Sequence, residues 1–505
     1  LHDPRTIGAA IAQHAQRRPD APALVATGYE PLSYAALWEN VSRLATRLRQ
    51  AGFGRDARIA VALPNGVEAA LTIVAIASSA VAVPLDTQLT ASEIEDRLKL
   101  LRVAAIIVPA DGPSPARDAA IRLGLPVIAA ATEGGGRLGL SLSVPSVGAP
   151  AAADSPEASA AAFILQTSGT TAEPKLIPYG QGNMVASAER VRSWFDIGPQ
   201  DRCLSASPVC YAHGLQVTVF SPLITGGSAA FPASIRTLDV DEWLVRLRPT
   251  WYSAGPTLHR YMLDRTQAEP EAASRHSLRF VVSGGAPLLA NLREALAATL
   301  GVPVLEHYGS SEAAQIVSNR PPPAPYKPGT CGIPDPGVIR IMAADGREAA
   351  AGERGEIWVG GPTVVPGYID NPELNRLAFV DGWFRSGDIG SIDADGFLTL
   401  HGRETGLINR GGEKVSPEEV DTALLEHPDV TEAAAFAVPH PRLGEDVAAA
   451  VVLKDGAMQT ALDLRKFLLA KLAPFKIPRR IVFVDGLPKG TTGKVQRQRL
   501  VEFLK

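Results

Sequence analysis

The sequence predicts an α/β protein: a large N-terminal domain of parallel-rich sheets with flanking helices plus a β-rich lobe, and a small, mobile α+β C-terminal domain. Three observations carry this. Helical and strand-like patterns alternate through residues 5–300. The strand segments are short apolar runs, as expected where helices cover both faces of a parallel sheet. From about residue 329 the texture shifts to short strands divided by Asp-Gly and Pro-Gly turns.

Taken in order, residues 5–18 and 34–52 have helical spacing, whereas 57–63 and 104–109 are strand-like runs rich in Ala, Val and Ile. The most apolar stretch, Ala69 to Leu85, is short for a membrane span and meets Pro84, so it predicts a buried core helix. Residues 132–160, dense in Gly, Ser, Pro and Ala, predict loops leading to a strand at 163–166. Strands follow at 202–207, 228–231, 250–253 and 279–283, with helices at 239–247 and 287–300. Short strands at 355–359 and 397–401 belong to the β-rich lobe. Residues 403–505 carry their own strand and helix pattern, which divides the chain into domains 1–402 and 403–505 with a hinge near 403–406.

Bulk properties exclude several classes. At 505 residues the chain is too long for one compact core. A formal net charge of −4 gives no electrostatic footprint for nucleic acid. Three cysteines (Cys203, Cys210, Cys331) have neither zinc-site nor disulfide spacing and read as reduced, inert thiols. With no basic, apolar, small-residue order at the start, these features predict a cytoplasmic enzyme without a membrane span.

The densest chemistry lies in Thr167-Ser168-Gly169-Thr170-Thr171-Ala172-Glu173-Pro174-Lys175. A strand feeds a loop whose backbone N–H groups and hydroxyls can wrap phosphate oxygens, and the lysine adds a point charge. It is not a Walker loop, because no Gly precedes the Lys and no Ser or Thr follows it. Ser283-Gly284-Gly285-Ala286-Pro287 follows a strand, where paired glycines allow a ligand to approach the backbone. In Tyr308-Gly309-Ser310-Ser311-Glu312 a ring can stack on a base, a hydroxyl can contact phosphate and a carboxylate can hold Mg²⁺. Further strings are Pro208 to Leu215 around His213, Trp383 to Asp388, Gly402-Arg403, Gly411-Gly412 ahead of a helix at Pro417, and Pro488 to Lys494. Alone, each has a plainer reading. The glycine pair suits a tight turn, the pentapeptide a helix N-cap, Asp388 a turn and Lys494 a solvated surface.

Their order down the chain resembles the adenylate-forming superfamily of acyl-CoA synthetases, adenylation domains of peptide synthetases and firefly luciferase. Ala172 stands where the family usually has Gly, and Ser311 where it has Thr. The resemblance implies activation of a carboxylic acid by ATP and Mg²⁺ to acyl-AMP, then transfer to CoA. A phosphopantetheinyl carrier protein as acceptor, or adenylation alone, are the alternatives. It assigns the phosphates to Thr167, Ser168, Gly169, Thr170, Thr171 and Lys175, and the α-phosphate contact to the Ser310-Ser311 hydroxyls. Adenine falls to Tyr308 with Gly284, Gly285 and Ala286, the ribose to Asp388 and Arg403, and the metal to Glu312. The acid falls to His213, Gly214, Gly284, Gly309 and Gln315, and the pantetheine tunnel to Gly411 and Gly412. Lys494, His213 and Thr167 are the implied catalytic groups. Thr405 and Gly406 depart from the Lys or Asp usual two positions after the hinge arginine. The chain most resembles the oxalyl-CoA synthetase branch, yet has Gln315 where that branch has histidine and Gly284-Gly285 where it has Ser-rich residues. Less positive charge and less bulk predict a larger, less charged acid than oxalate: an aryl, alicyclic or medium-sized acyl acid.

Overall fold

The computed structural model describes residues 5–132, 136–152, 154–167, 175–403, 406–410, 413–490 and 495–504. They form two compact units, one of residues 1–286, 294–327 and 359–384, the other of residues 287–293, 328–358 and 385–505.

Two sheets build the first unit. One has seven strands in the order Leu140–Ser143, Val127–Thr132, Ala105–Pro109, Arg58–Val61, Val81–Pro84, Ala161–Thr167 and Lys175–Gly180. Its interior pairings are parallel and only its two edge pairings are antiparallel. The other has eight: Ala314–Ser318, Val304–Ser310, Phe280–Ser283, Trp251–Ala254, Arg202–Leu204, Ser228–Phe231, Pro22–Ala26 and Leu32–Ser33. It too is parallel except at its ends.

Apolar helices fill the core that both sheets share, where Leu24 and Phe231 of one join Ile59 and Phe163 of the other. The apolar stretch 69–85 is not one helix. Val67–Ala77 is a helix with every residue but Glu68 buried, and Val81–Pro84 is an interior strand. Both are apolar all round because each is covered on all sides. The helix expected at 239–247 is present at Asp241–Arg246 with π-type bonding.

In the second unit, Ile339–Met342, Gly355–Val359 and Trp383–Ile392 lie side by side, and Leu398–Arg403 pairs antiparallel with the last. A further sheet pairs Val430–His440 with Gly444–Leu453, and Arg480–Phe483 joins it in parallel. Val420 and Leu424 of helix Pro417–Leu425, with Leu464 and Leu468 of helix Ala461–Leu469, close its core over Val447, Ala449 and Val451. Ser416 caps the first of these helices by accepting from Glu419 N at 3.4 Å, with Pro417 in its first turn.

Candidate active site

The Thr/Ser-rich loop joins two antiparallel strands whose register pairs Thr167 with Lys175 and Gln166 with Leu176. Ser168, Gly169, Thr170 and Thr171 lie outside the described residues, as does the side chain of Thr167. The loop's base rests on stacked rings, Phe163 lying 4.5 Å from Tyr179 and 5.3 Å from Phe220 between centroids. Lys175 Nζ stands 5.0 Å from the centroid of the Tyr368 ring, a cation–π contact. The Tyr368 hydroxyl donates to Glu312 Oε1 at 2.8 Å, so a phenol links the loop's lysine to the metal-ligand candidate.

Glu312 sits in the turn between strands Val304–Ser310 and Ala314–Ser318, not at a helix start as the pentapeptide alone suggests. Two contacts hold that turn: Val365 N donates to Glu312 O at 2.8 Å, and the Tyr179 hydroxyl donates to Ser311 O at 2.5 Å. Ser310 Oγ accepts from Ala313 N at 3.1 Å, tightening it further. Tyr308 lies in the strand and is buried.

At the C-terminal ends of the parallel strands, several polar groups gather around one ring. His213 Nε2 lies 3.0 Å from Ser253 Oγ, and its ring is 6.4 Å from that of His307. A Cβ on Gly284 would stand 2.9 Å from His307 Cδ2 and 3.6 Å from His213 Cε1. One on Gly309 would collide with the Ala314 carbonyl, at 2.5 Å, and stand 3.2 Å from His307 Nε2 and 3.4 Å from Gln315 Oε1. Glycine at 284 therefore leaves room for the His307 ring and glycine at 309 for the Ala314 carbonyl, and Gln315 reaches the same spot from the strand paired with Gly309. Burial first, then the charge of His213, drives His307 down to about 3, so its ring is neutral near pH 7.

Gln216, in the π-type turn Gln216–Phe220 that follows His213, accepts from Gln315 Nε2 at 3.5 Å. Arg190 lies behind this group, donating to the Gln315 carbonyl at 2.9 Å and to Thr363 Oγ1 at 3.0 Å. Gly214, like Gly309, is required by a backbone carbonyl: a Cβ there would collide with the Pro208 carbonyl. Gly285 has φ +82° and, with Ala286, is exposed. Of the three cysteines, Cys203 is fully buried, and burial pushes the Cys210 thiol up to about 12, so neither is a nucleophile near neutral pH.

Within the second unit, Asp388 and Arg403 are register partners, with Arg403 Nε donating to Asp388 Oδ1 at 2.8 Å. Asp388 is therefore a strand residue rather than a turn residue. The carboxylate is buried while the guanidinium is 64% exposed. Gly402 has φ +117°, and a Cβ there would lie 2.9 Å from Ser416 Oγ. Glu404, Thr405, Gly411, Gly412 and Lys494 lie outside the described residues. The base of the Lys494 loop is described. Lys489 and Val495 form an antiparallel bridge, Gln496 N donates to Pro488 O at 2.8 Å, and Lys489 Nζ donates to Glu432 at 2.5 Å.

The structure thus gathers His213, Gly284, Gly309 and Gln315 in one place, and Lys175 with Glu312 in another, both within the first unit. The sequence reading passed over His307, Ser253, Gln216 and Tyr368. His307 directly precedes Tyr308, and strand alternation puts it on the face opposite Tyr308. That was the available signal.

Residues 11–369 match the family model described as AMP-binding enzyme, and residues 419–494 match that of the AMP-binding enzyme C-terminal domain. The chain is 36% identical to a probable CoA ligase of Humulus lupulus, over 98% of this chain and 94% of that protein. It is also 36% identical to an oxalate–CoA ligase of Arabidopsis thaliana, over 98% of each. Among solved structures, the ATP-bound MatB of Rhodopseudomonas palustris superposes with a TM-score of 0.87 at 30% identity, over 98% of each chain. The chain belongs to the AMP-binding enzyme family, within the adenylate-forming superfamily. It is an acyl-CoA synthetase, an AMP-forming ligase that activates a carboxylic acid with ATP and passes the acyl group to CoA.

Proposed function

We propose that the cluster around His307 receives the acid, and that the acid is an aryl, alicyclic or medium-sized acyl acid rather than oxalate. The observation that carries this is the pair of glycines flanking a neutral imidazole. Gly284 lets the His307 ring pack against the backbone, Gly309 does the same for the Ala314 carbonyl, and the side chains brought together there are imidazoles, amides and a hydroxyl. Burying a second carboxylate among imidazoles, amides and a hydroxyl is costly.

In this reading a carboxylate oxygen attacks the α-phosphorus of ATP, the bond to pyrophosphate breaks, and acyl-AMP forms. His213, oriented by Ser253, sits beside the carboxylate; Lys175 and the loop from Thr167 hold phosphate oxygens. Glu312 fits Mg²⁺, a hard cation that is held by one or two carboxylates together with substrate phosphates. Bound there, it would neutralise phosphate charge. Tyr308 faces adenine, and Asp388 accepts from the ribose hydroxyls with Arg403 beside it. Lys494 stabilises the charge that develops as anions converge. In the second half-reaction the CoA sulfur attacks the acyl carbon, its proton passes to solvent, and AMP leaves. A turn of the C-terminal domain about residues 403–406 exchanges Lys494 for a thiol passage lined by Gly411 and Gly412.

The test is mass spectrometry of products after incubation with ATP, Mg²⁺, CoA and a mixed panel of acids. Acyl-CoA and AMP should accumulate with aryl, alicyclic or medium-sized acids. Fastest turnover of oxalate would overturn the assignment.

A further inference from the structure

We infer that Asp86 and Tyr211 are a positioning pair for the reaction: the hydrogen bond between them holds the backbone that presents His213 to the acid. The inference rests on the acid site proposed above and adds two residues that act through His213. His213 lies in the four-residue helix Ala212–Leu215, whose N-cap, Tyr211, has extended backbone and supplies no side-chain cap. A helix this short is not stable by itself, so its place is set by what holds it from outside. Three side chains do so, at alternate residues. Val209 N donates to Asn65 Oδ1 at 2.8 Å, the Tyr211 hydroxyl donates to Asp86 Oδ2 at 2.8 Å, and His213 Nε2 lies 3.0 Å from Ser253 Oγ. Asn65 and Asp86 follow Arg58–Val61 and Val81–Pro84, neighbouring parallel strands of the seven-stranded sheet, whereas Ser253 belongs to the eight-stranded one. The His213 segment is thus tied to both sheets.

The carboxylate is oriented by its own turn. Asp86 Oδ1 accepts from Gln88 N at 2.9 Å, which leaves Oδ2 for Tyr211. Tyr211 is half-buried and borders a cleft that it shares with Asp86, Cys210, Arg97 and Gln166. A ring with a cleft along one side is not fixed by close packing alone, so the bond to Asp86 holds it in place. Misplacing a reacting or orienting group by about 1 Å can cost on the order of 10²-fold in rate, so a tie two residues from His213 is enough to matter.

The experiment measures pyrophosphate release with the acid of the panel above that gives most thioester, and reads kcat/KM for that acid beside KM for ATP. It compares the wild type with Tyr211→Phe, Asp86→Ala, Asp86→Asn, His213→Ala and the double variant Tyr211→Phe, His213→Ala. Tyr211→Phe and Asp86→Ala should each lower kcat/KM for the acid about tenfold, with KM for ATP unchanged. Asp86→Asn should recover most of that loss, because its Oδ1 can still accept from Gln88 N while its Nδ2 donates to the phenol oxygen. Once His213 is alanine, Tyr211→Phe should have no further effect. If Asp86→Ala does not fold, Tyr211→Phe, which keeps the ring, carries the test. No loss in Tyr211→Phe, or the same loss with and without His213, would overturn the inference and leave the acid-binding reading standing. Full activity in His213→Ala, or no thioester from any acid in the wild type, would overturn both.

Discussion

Arg497 donates to Asp421 Oδ2 at 2.6 Å and, through its other terminal nitrogen, to the Ala435 carbonyl at 2.7 Å. Asp421 is on helix Pro417–Leu425 and Ala435 in strand Val430–His440, so one guanidinium joins both to the C-terminal segment. Glu418 adds a third contact at 3.2 Å. Because Arg497 follows Lys494 by three positions, this fork sets where the lysine loop leaves the domain. Arg497→Ala strands a buried carboxylate, and we expect a loss of about 2 kcal/mol, below the fully buried range because the arginine is partly exposed. Pyrophosphate release should fall further than the unfolded fraction explains. Arg497→Lys, which keeps charge but not the fork, should recover stability more than rate. Urea unfolding alongside pyrophosphate release separates the two effects, and equal losses in both would reduce Arg497 to a folding residue.

Replacing Lys494 itself should act on one half-reaction. Lys494→Ala is expected to lower adenylation by roughly 10²–10³, the scale for one transition-state donor. Thioester formation from supplied acyl-AMP should persist, since the proposed mechanism does not use the lysine in that step. Unchanged pyrophosphate release would remove Lys494 from the mechanism.

The Tyr368 hydroxyl orients Glu312, and partners of metal-binding carboxylates commonly carry tenfold effects on affinity. Tyr368→Phe keeps the ring beneath Lys175 and removes the hydroxyl's bond to Glu312. The Mg²⁺ concentration for half-maximal pyrophosphate release should rise about tenfold. The thermal shift given by Mg²⁺ with ATP should move in parallel. A Mg²⁺ dependence equal to the wild type would mean that the hydroxyl serves packing alone.

How far the sequence carried this picture depended on where each signal came from. Local signals held. The strand before the Thr/Ser-rich loop lies at Ala161–Thr167, and the helix at Pro417 has its Ser416 cap, because these elements are specified by their own residues. Signals that needed a partner distant in sequence were less legible. Ala69 to Leu85 reads as one apolar run, because a covered helix and an interior parallel strand have the same composition, and only Ser78-Ser79 marks the break. His307 is an ordinary strand residue until Gly284, Gly309 and His213 are folded around it. Tyr368 follows a Pro-Gly turn and meets Glu312 only through tertiary contacts. Gly214 shows the reverse case, where a glycine beside a site residue is explained by the nearby Pro208 carbonyl.

Two buried histidines should make the protein acid-sensitive in a defined window. Burial, as the largest cause, holds His259 down to about 4 and His307 down to about 3, against an ordinary value of 6.5. Both are neutral in the fold, so as pH falls below 6.5 the unfolded chain takes up protons first. Their contribution is present in full above pH 6.5 and is lost as pH falls towards 4 and 3. His259 is the cleaner probe, because burial is the largest cause of its low value and its ring bonds the Tyr252 hydroxyl at 3.3 Å, with the charge of His213 a smaller contribution. Between pH 7 and pH 5, His259→Gln should lose about 1–2 kcal/mol less stability than the wild type, measured by urea unfolding at each pH. Carboxylates titrate mostly below that range, so the difference belongs to the histidine. Parallel profiles for the two proteins would show that His259 is protonated as readily in the fold as in the unfolded chain.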